Sequence, residues 1–221
     1  MTYIYNKAER FVKWSLWLCL MALLPVQAYG VDKYGVLWED NDAANTWRYQ
    51  YQTKIQNGEL PSTYESFAKG DGTISSPYLI ESVWDLCRLE YHVNDRRIDF
   101  KGKYFKLVND IDLDGYMWYP IGVAENPYES TSFSGYFDGN GKTVKNMKMT
   151  LVNSQLTSKY SYGLFGKVRG AIRNLNMTGA QITMNVNTQE TNDSRSLSAG
   201  LLCGSLLHDF NTKIYGAIYG C

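Results

Sequence analysis

Several short runs in this chain have the residue types and spacings that chemistry uses. Gly139-Asn140-Gly141-Lys142-Thr143 imitates the end of a phosphate-binding P-loop. That loop needs a glycine five residues before its Gly-Lys-Thr, and a helix after it to face the phosphate. Here the position is Tyr136, Gly135 lies one residue too early, and Val144-Lys145-Asn146-Met147 reads as strand, so nucleotide binding is set aside. Asp110-Ile111-Asp112-Leu113-Asp114-Gly115 imitates the start of a calcium loop, whose twelfth residue should be a bidentate Glu and is Ile121 instead. Alternating Ile111 and Leu113 explain the run as a strand with its acids outward, and calcium on those acids stays the secondary reading. Asp138 together with Asp110, Asp112 and Asp114 offers the pair of acids that glycan cleavage requires. The ordinary role of outward acids on a repeat is solubility.

The two histidines, His92 and His208, are singletons, and no His-Glu-x-x-His zinc motif occurs. His92 is expected on a helix surface. Cys203, between Leu202 and Gly204, reads as a small core hydrophobe, because nothing marks a base beside it. Tyr116, Trp118, Tyr119 and Tyr128 cluster, and form the candidate ligand-contact surface, a platform on which sugars would stack. Packing in the core is the competing reading and the one the sequence favours. No catalytic residue, cofactor or metal ligand is assigned.

The elements that must position these residues start with a leader. Lys7, Arg10 and Lys13 precede an apolar run from Trp14 to Val26, and Val26-Gln27-Ala28 supplies small residues at a cleavage site. Residues 1–28 therefore read as a secretory signal peptide cleaved after Ala28, too short in its apolar run for a membrane span. An uncleaved signal anchor is the alternative. The chain of 221 residues carries 22 basic and 22 acidic residues. The leader removes three bases and one acid, leaving 19 against 21, a net charge of −2. Such a chain is a poor partner for nucleic acid or an anionic membrane. Mean hydropathy is −0.35 although charged residues are only 20%, so much of the polarity is uncharged. Eighteen tyrosines and nineteen glycines fit an extracellular β-rich protein. Cys87, Cys203 and Cys221 remain after cleavage, an odd number that closes no disulfide set.

Residues 29–69 resemble nothing that follows and read as an N-terminal extension, in which Ala43 to Ile55 is open between helix and strand. Tyr78-Leu79-Ile80 reads as a strand. Ser82 with Asp85 resembles a capping box, and Val83, Leu86, Leu89 and Val93 share one face, which predicts a helix over 83–93 stopped at Asn94. From Lys103 onward the period is two, Asp138-Gly139-Asn140-Gly141 is a tight turn, and Asn185 to Ser198 reads as a polar surface loop.

A repeat runs through the second half. Thr143-Val144-Lys145-Asn146-Met147, Ala171-Ile172-Arg173-Asn174-Leu175 and Ala217-Ile218-Tyr219-Gly220-Cys221 share one frame. The frame predicts equivalent φ > 0 bends at Asn146, Asn174 and Gly220, with Val144, Met147, Ile172, Leu175, Ile218 and Cys221 pointing inward. Tyr162-Gly163-Leu164-Phe165-Gly166 recurs as Ala199-Gly200-Leu201-Leu202-Cys203-Gly204. Glycine-rich repeats of this length are the mark of a solenoid. The chain stops inside the third frame, so the sequence is expected to continue.

Gly163-Leu164-Phe165-Gly166 followed by Ile172-Arg173-Asn174-Leu175 resembles the GLUG motif of bacterial surface proteins, and Gly200 to Gly204 resembles a second copy. The upstream succession also fits, from Gly70-Asp71-Gly72 through Asp110-Ile111-Asp112-Leu113 and Pro120-Ile121-Gly122 to Phe133-Ser134-Gly135-Tyr136-Phe137-Asp138-Gly139. The resemblance covers residues 70–221. It implies an all-β fold, a right-handed parallel β-helix with one capping helix at its N-terminal end. It implies an exported, non-catalytic module of an adhesin-like protein, secreted or on the outer cell surface, with a glycan or protein ligand. The ancillary region of a secreted peptidase, or a glycan-cleaving β-helix, is the alternative. The family carries no agreed catalytic residues, so none transfer.

Overall fold

The computed structural model describes residues 43–61, 67–123, 131–153, 160–186, 197–209 and 214–221. The expected signal peptide at 1–28 and the candidate contact residue Tyr128 lie outside the described residues. Where periodicity left helix and strand open, the chain forms helix α1 (Trp47–Gln56). Thr46 caps it, its hydroxyl accepting from the Tyr49 N–H at 3.2 Å. Trp47, Tyr51 and Ile55, spaced by four, bury one face. The segment expected as an extension thus supplies core, and Phe67 joins it. The Trp47 indole N–H donates to the Leu113 carbonyl at 3.0 Å, and the Trp47 backbone N–H to Met117 at 3.0 Å.

Helix α2 (Val83–Asn94) starts where the capping box places it, with the Asp85 carboxylate accepting from the Ser82 N–H at 3.1 Å. Leu86, Leu89 and Val93 are buried, as expected for a lid on an apolar core. Arg48 of α1 bonds Glu90 at 2.9 Å and pairs with Asp95, tying the two helices together. Asn94 does more than end the helix. Its buried amide donates to Glu90 and to the Pro120 carbonyl, both at 2.8 Å, and its oxygen accepts from the N–H groups of Gly122 at 2.9 Å and Val123 at 3.2 Å. Those N–H groups sit in a loop that no strand ladder satisfies, and an unmet buried donor costs about 1–3 kcal/mol.

The rest is mostly short strands. The first pass of the chain gives β1 (Tyr78–Ile80); the second gives β2 (Tyr104–Leu107) and β3 (Ile111–Asp112). The third gives β4 (Tyr136–Asp138), β5 (Thr143–Lys145), β6 (Lys148–Asn153), β7 (Tyr160–Tyr162) and β8 (Phe165–Val168). The fourth gives β9 (Ala171–Arg173), β10 (Asn176–Thr178), β11 (Gln181–Val186), β12 (Leu197–Ala199) and β13 (Cys203–Leu206). Then come β14 (His208–Asp209), β15 (Ile214–Tyr215) and β16 (Ala217–Tyr219). The stretch from Asn185 to Ser198, expected as loop throughout, is strand at both ends, in β11 and β12.

The sheets are small and parallel. The largest has five strands in the order β1-β2-β4-β9-β16, and β3-β5-β10, β6-β11, β7-β12 and β8-β13 follow on other faces. Among the described strands, only β14 and β15 pair antiparallel. Each strand lies beside its counterpart one pass away, as Phe105 beside Phe137 and Phe137 beside Ile172, 32 and 35 residues apart. Inward residues stack in rows. Phe67, Phe105, Phe133, Phe165 and Phe137 touch in sequence at centroid separations of 5.2–5.6 Å. Full burial of such side chains contributes about 1.5–3 kcal/mol each.

The glycines of the repeated segments 163–166 and 200–204 sit where passes approach closely. A Cβ on Gly163 would lie 2.3 Å from the Gly200 carbonyl oxygen, and one on Gly166 would lie 2.2 Å from that of Gly122. The two copies stack on each other, Tyr162 opposite Ala199 and Phe165 opposite Cys203. The second copy has one more residue between these points, which lies between the two ladders.

The bends have the expected conformation, with φ of 57° at Asn146, 52° at Asn174 and 65° at Gly220. Their equivalence does not hold. Gly220 follows Tyr219, which opposes Arg173, so Gly220 stacks on Asn174. Asn146 belongs to the next corner, after β5, and its counterpart is Gly179 after β10. One local pattern, a short strand ending in a left-handed residue, recurs at successive corners of one pass, and the frame alone does not tell corners apart. Val144, Met147, Ile172 and Leu175 point inward as expected. Ile218 lies in the same inward row, opposite Ile172, yet neither it nor Cys221 is covered. Ile218 is 37% exposed and Cys221 is exposed, because β16 has a described neighbour, β9, on one side only.

Candidate functional site

The aromatic platform expected from the sequence is largely interior. Trp118 and Tyr119 are buried, the Trp118 indole N–H donating to the Leu164 carbonyl at 3.0 Å. Arg48 lies over the Tyr119 ring at 4.8 Å. Tyr116 is half-buried with its edge on Trp47 at 5.0 Å. These rings fill the junction between α1 and the strands, so Trp118 and Tyr119 take the packing role that the sequence favoured and are not the candidate contact surface.

The acids expected to face outward do so, and each is engaged by the neighbouring pass. Asp110 accepts from the Thr143 N–H at 2.9 Å and pairs with Lys145 at 3.0 Å. These contacts hold its carboxyl below the usual range. Asp112 accepts from the Asn146 amide at 2.9 Å. Asp114 pairs with Lys148 at 2.7 Å, which lowers its carboxyl too. Among the described residues, no three His, Cys, Asp or Glu side chains gather around one point where a metal ion would sit. Thr143, the end of the P-loop look-alike, begins strand β5 rather than a helix.

His92 is corrected as well. It is 3% exposed, not on a helix surface, because α2 turns that face toward Phe67 and Phe100. Burial, then the Arg88 and Arg96 charges, pull its pKa down to about 4. Cys203 is half-buried, and burial pushes its thiol up to about 11, which suits a packing residue rather than a nucleophile.

A concavity of about 320 Å³ lies on the outer face of the five-stranded sheet. Strand alternation places two outward rows there. Tyr104, Tyr136, Ala171 and Ala217 form one, and Lys106, Asp138, Arg173 and Tyr219 the other. Tyr104 and Tyr136 stack face to face at 4.6 Å with 12° between their planes. Arg173 bonds Asp138 at 2.8 Å. Asp138 also accepts from the Asn140 N–H at 2.9 Å and the Asn174 amide at 3.2 Å. Partial burial raises the Asp138 pKa, but these three donors outweigh it and the carboxyl ends below its ordinary value. Asp138, and then the Tyr219 hydroxyl, hold the Arg173 guanidinium firmly charged. Sequence reasoning singled out Asp138 and missed Tyr104, Tyr136 and Tyr219. The signal was a recurring Tyr-Phe pair, Tyr104-Phe105 and Tyr136-Phe137, in which the inward Phe forces the Tyr outward.

No family model matches the chain. A Gly-rich membrane protein of Evansella cellulosilytica is 33% identical over 126 residues, covering 53% of this chain and 13% of that protein. Halomucin of Haloquadratum walsbyi is 29% identical over 146 residues, covering 62% of this chain and 1% of that protein. The chain thus spans a small part of the length of the curated relatives it matches. A crystal structure from Bacteroides ovatus, assigned as an immunoglobulin A1 protease, superposes with a TM-score of 0.45 at 19% identity, over 73% of this chain and 52% of that one. No described helix is long and apolar enough to cross a membrane.

Proposed function

We propose that this chain is an exported binding or display module of a bacterial surface protein of adhesin-like type, without catalysis of its own. We further propose that its small parallel sheets belong to one right-handed parallel β-helix of GLUG type, capped by α2. The observation that carries this reading is the strand order β1-β2-β4-β9-β16, in which each neighbour comes from the next pass of the chain. Parallel neighbours have no hairpin between them, so the chain crosses other faces before returning. Such stacking gives a long exposed face with side chains at fixed spacing, suited to holding a ligand or spacing a display. The relatives, a membrane protein and halomucin, support a surface location, and the basic-then-apolar start of the sequence supports export.

The test is secretion of the full chain, tagged at its C-terminus, from a bacterial host. The expected product begins at Tyr29 and is digested by protease added to intact cells or medium. A product that retains residues 1–28 and stays inside the cell would refute the export on which the reading depends.

A further inference from the structure

We infer that the groove on the outer face of the β1-β2-β4-β9-β16 sheet binds a neutral pyranose ring of a glycan, stacked on Tyr136 and hydrogen-bonded by Asp138 and Arg173. The inference rests on the binding-module reading above and names its ligand class. In the tyrosine row, Tyr104 covers one face of the Tyr136 ring, and the residues that follow are Ala171 and Ala217. Two methyl groups in succession leave the other face of Tyr136 open over a ring-sized notch, and Tyr136 is 40% exposed. An aromatic face is where the C–H face of a sugar packs.

The adjacent row supplies polar partners at fixed positions. Asp138 is an acceptor pinned by Asn140, Asn174 and Arg173. Arg173 is a planar donor held by Asp138, with Tyr219 its neighbour on β16 and the Tyr219 ring 50% exposed at the rim. A fixed acceptor beside a fixed donor matches adjacent hydroxyl groups, each of which donates and accepts. Asp138 and Arg173 already pair with each other, so together they offer a ligand hydrogen bonds rather than net charge, as suits a neutral polyol, and Lys106 is the further cation of that row, whose pull on an acidic sugar the galacturonate control reads. The groups are held before any ligand arrives, so little ordering is lost on binding. The floor around Tyr136 belongs to β4, paired on both sides by β2 and β9, so no free backbone edge is available there for a peptide strand. The volume of about 320 Å³ lies at the small end of ligand sites and suits one or two ring units.

The test is calorimetric titration of the full chain with mannotetraose, cellotetraose and galactotetraose, and with a tetramer of galacturonate as an acidic control. At least one neutral tetramer should bind, insensitive to about 0.5 M salt. Tyr136→Ala should weaken it about tenfold and Tyr136→Phe should not, since only the ring face is used. Arg173→Met gives a second variant that leaves the tyrosine stack in place, and it should weaken binding by a similar factor. Melting temperatures of all variants check folding. The inference is overturned if no neutral tetramer binds. It is also overturned if Tyr136→Ala binds as wild type, or if only galacturonate binds and salt abolishes it. Each of those outcomes leaves secretion and surface exposure, measured separately above, untouched.

Discussion

Acidifying the medium from pH 7.5 to pH 5 should cost this protein a sizeable part of its stability through one side chain. His92 lies on the buried face of α2, with ring centroids of Phe67, Tyr91 and Phe100 at 6.1, 6.1 and 5.9 Å. Its Nδ1 has no hydrogen-bond partner. Desolvation, followed by repulsion from Arg88 and Arg96, moves its pKa from 6.5 to about 4. Between those values the unfolded chain holds a proton that the folded chain refuses. Stability is therefore complete above the unfolded pKa and is lost as pH falls through the window toward the folded one. The difference corresponds to about 2 kcal/mol at pH 5 and roughly 3 kcal/mol at pH 4, taking ~1.4 kcal/mol per pH unit. A domain of ordinary stability has only ~5–15 kcal/mol in total. Asp110, Asp114 and Asp138 are held below the ordinary 3.8 and lose stability in the same direction, but their unfolded forms take up few protons until pH falls below 5, so the comparison of pH 7.5 with pH 5 reads mainly His92. Urea unfolding at both pH values reads the difference, and His92→Leu should flatten the dependence. A loss below ~0.5 kcal/mol, or a His92→Leu protein with the wild-type slope, would refute the argument.

Asn174→Val should melt well below Asn174→Gly, because a β-branched residue resists the φ of 52° at that corner; equal melting temperatures would show the corner is not strained. Leu86→Ala should cost ~2–5 kcal/mol by emptying a site with no exposure, read by urea unfolding. Gly166→Ala should cost ~1–3 kcal/mol, since the added methyl meets the Gly122 carbonyl oxygen at 2.2 Å and must push two passes apart; a variant as stable as wild type would mean the passes slide freely.

The sequence was most legible where a residue's local conformation is decided by its neighbours in the chain. The Ser82–Asp85 box and the Leu86–Leu89–Val93 face placed α2, and the left-handed asparagines placed the corners. It was least legible where the outcome depends on which pass lies alongside. Asn146 and Asn174 look alike in sequence, yet they occupy different corners, because pairing partners are set 33 to 46 residues away. His92 has a polar side chain on a helix, and only the distant Phe67 and Phe100 put it in the interior. The aromatic cluster at Tyr116, Trp118 and Tyr119 was read with packing as its favoured role, but the ring that packs it, Trp47, comes from a segment expected to stand apart. Conversely, the groove of Tyr104, Tyr136, Asp138 and Arg173 draws one or two residues from each pass, and no single stretch of sequence contains it.

The corners also restrict how such a chain can lengthen. At each of the two corners, an asparagine is overlaid by a glycine, Gly179 above Asn146 and Gly220 above Asn174. A Cβ on Gly179 would fall 2.5 Å from the Asn146 side-chain oxygen, and one on Gly220 would fall 2.9 Å from that of Asn174. The asparagine amide thus occupies the volume that the next residue's side chain would need. Copying one pass of the gene in tandem would set asparagine directly above asparagine and break the alternation. Duplicating two passes together would preserve it. An engineer extending the protein by one pass should therefore supply glycine at each added corner that faces an asparagine, or leave that asparagine amide room to turn aside.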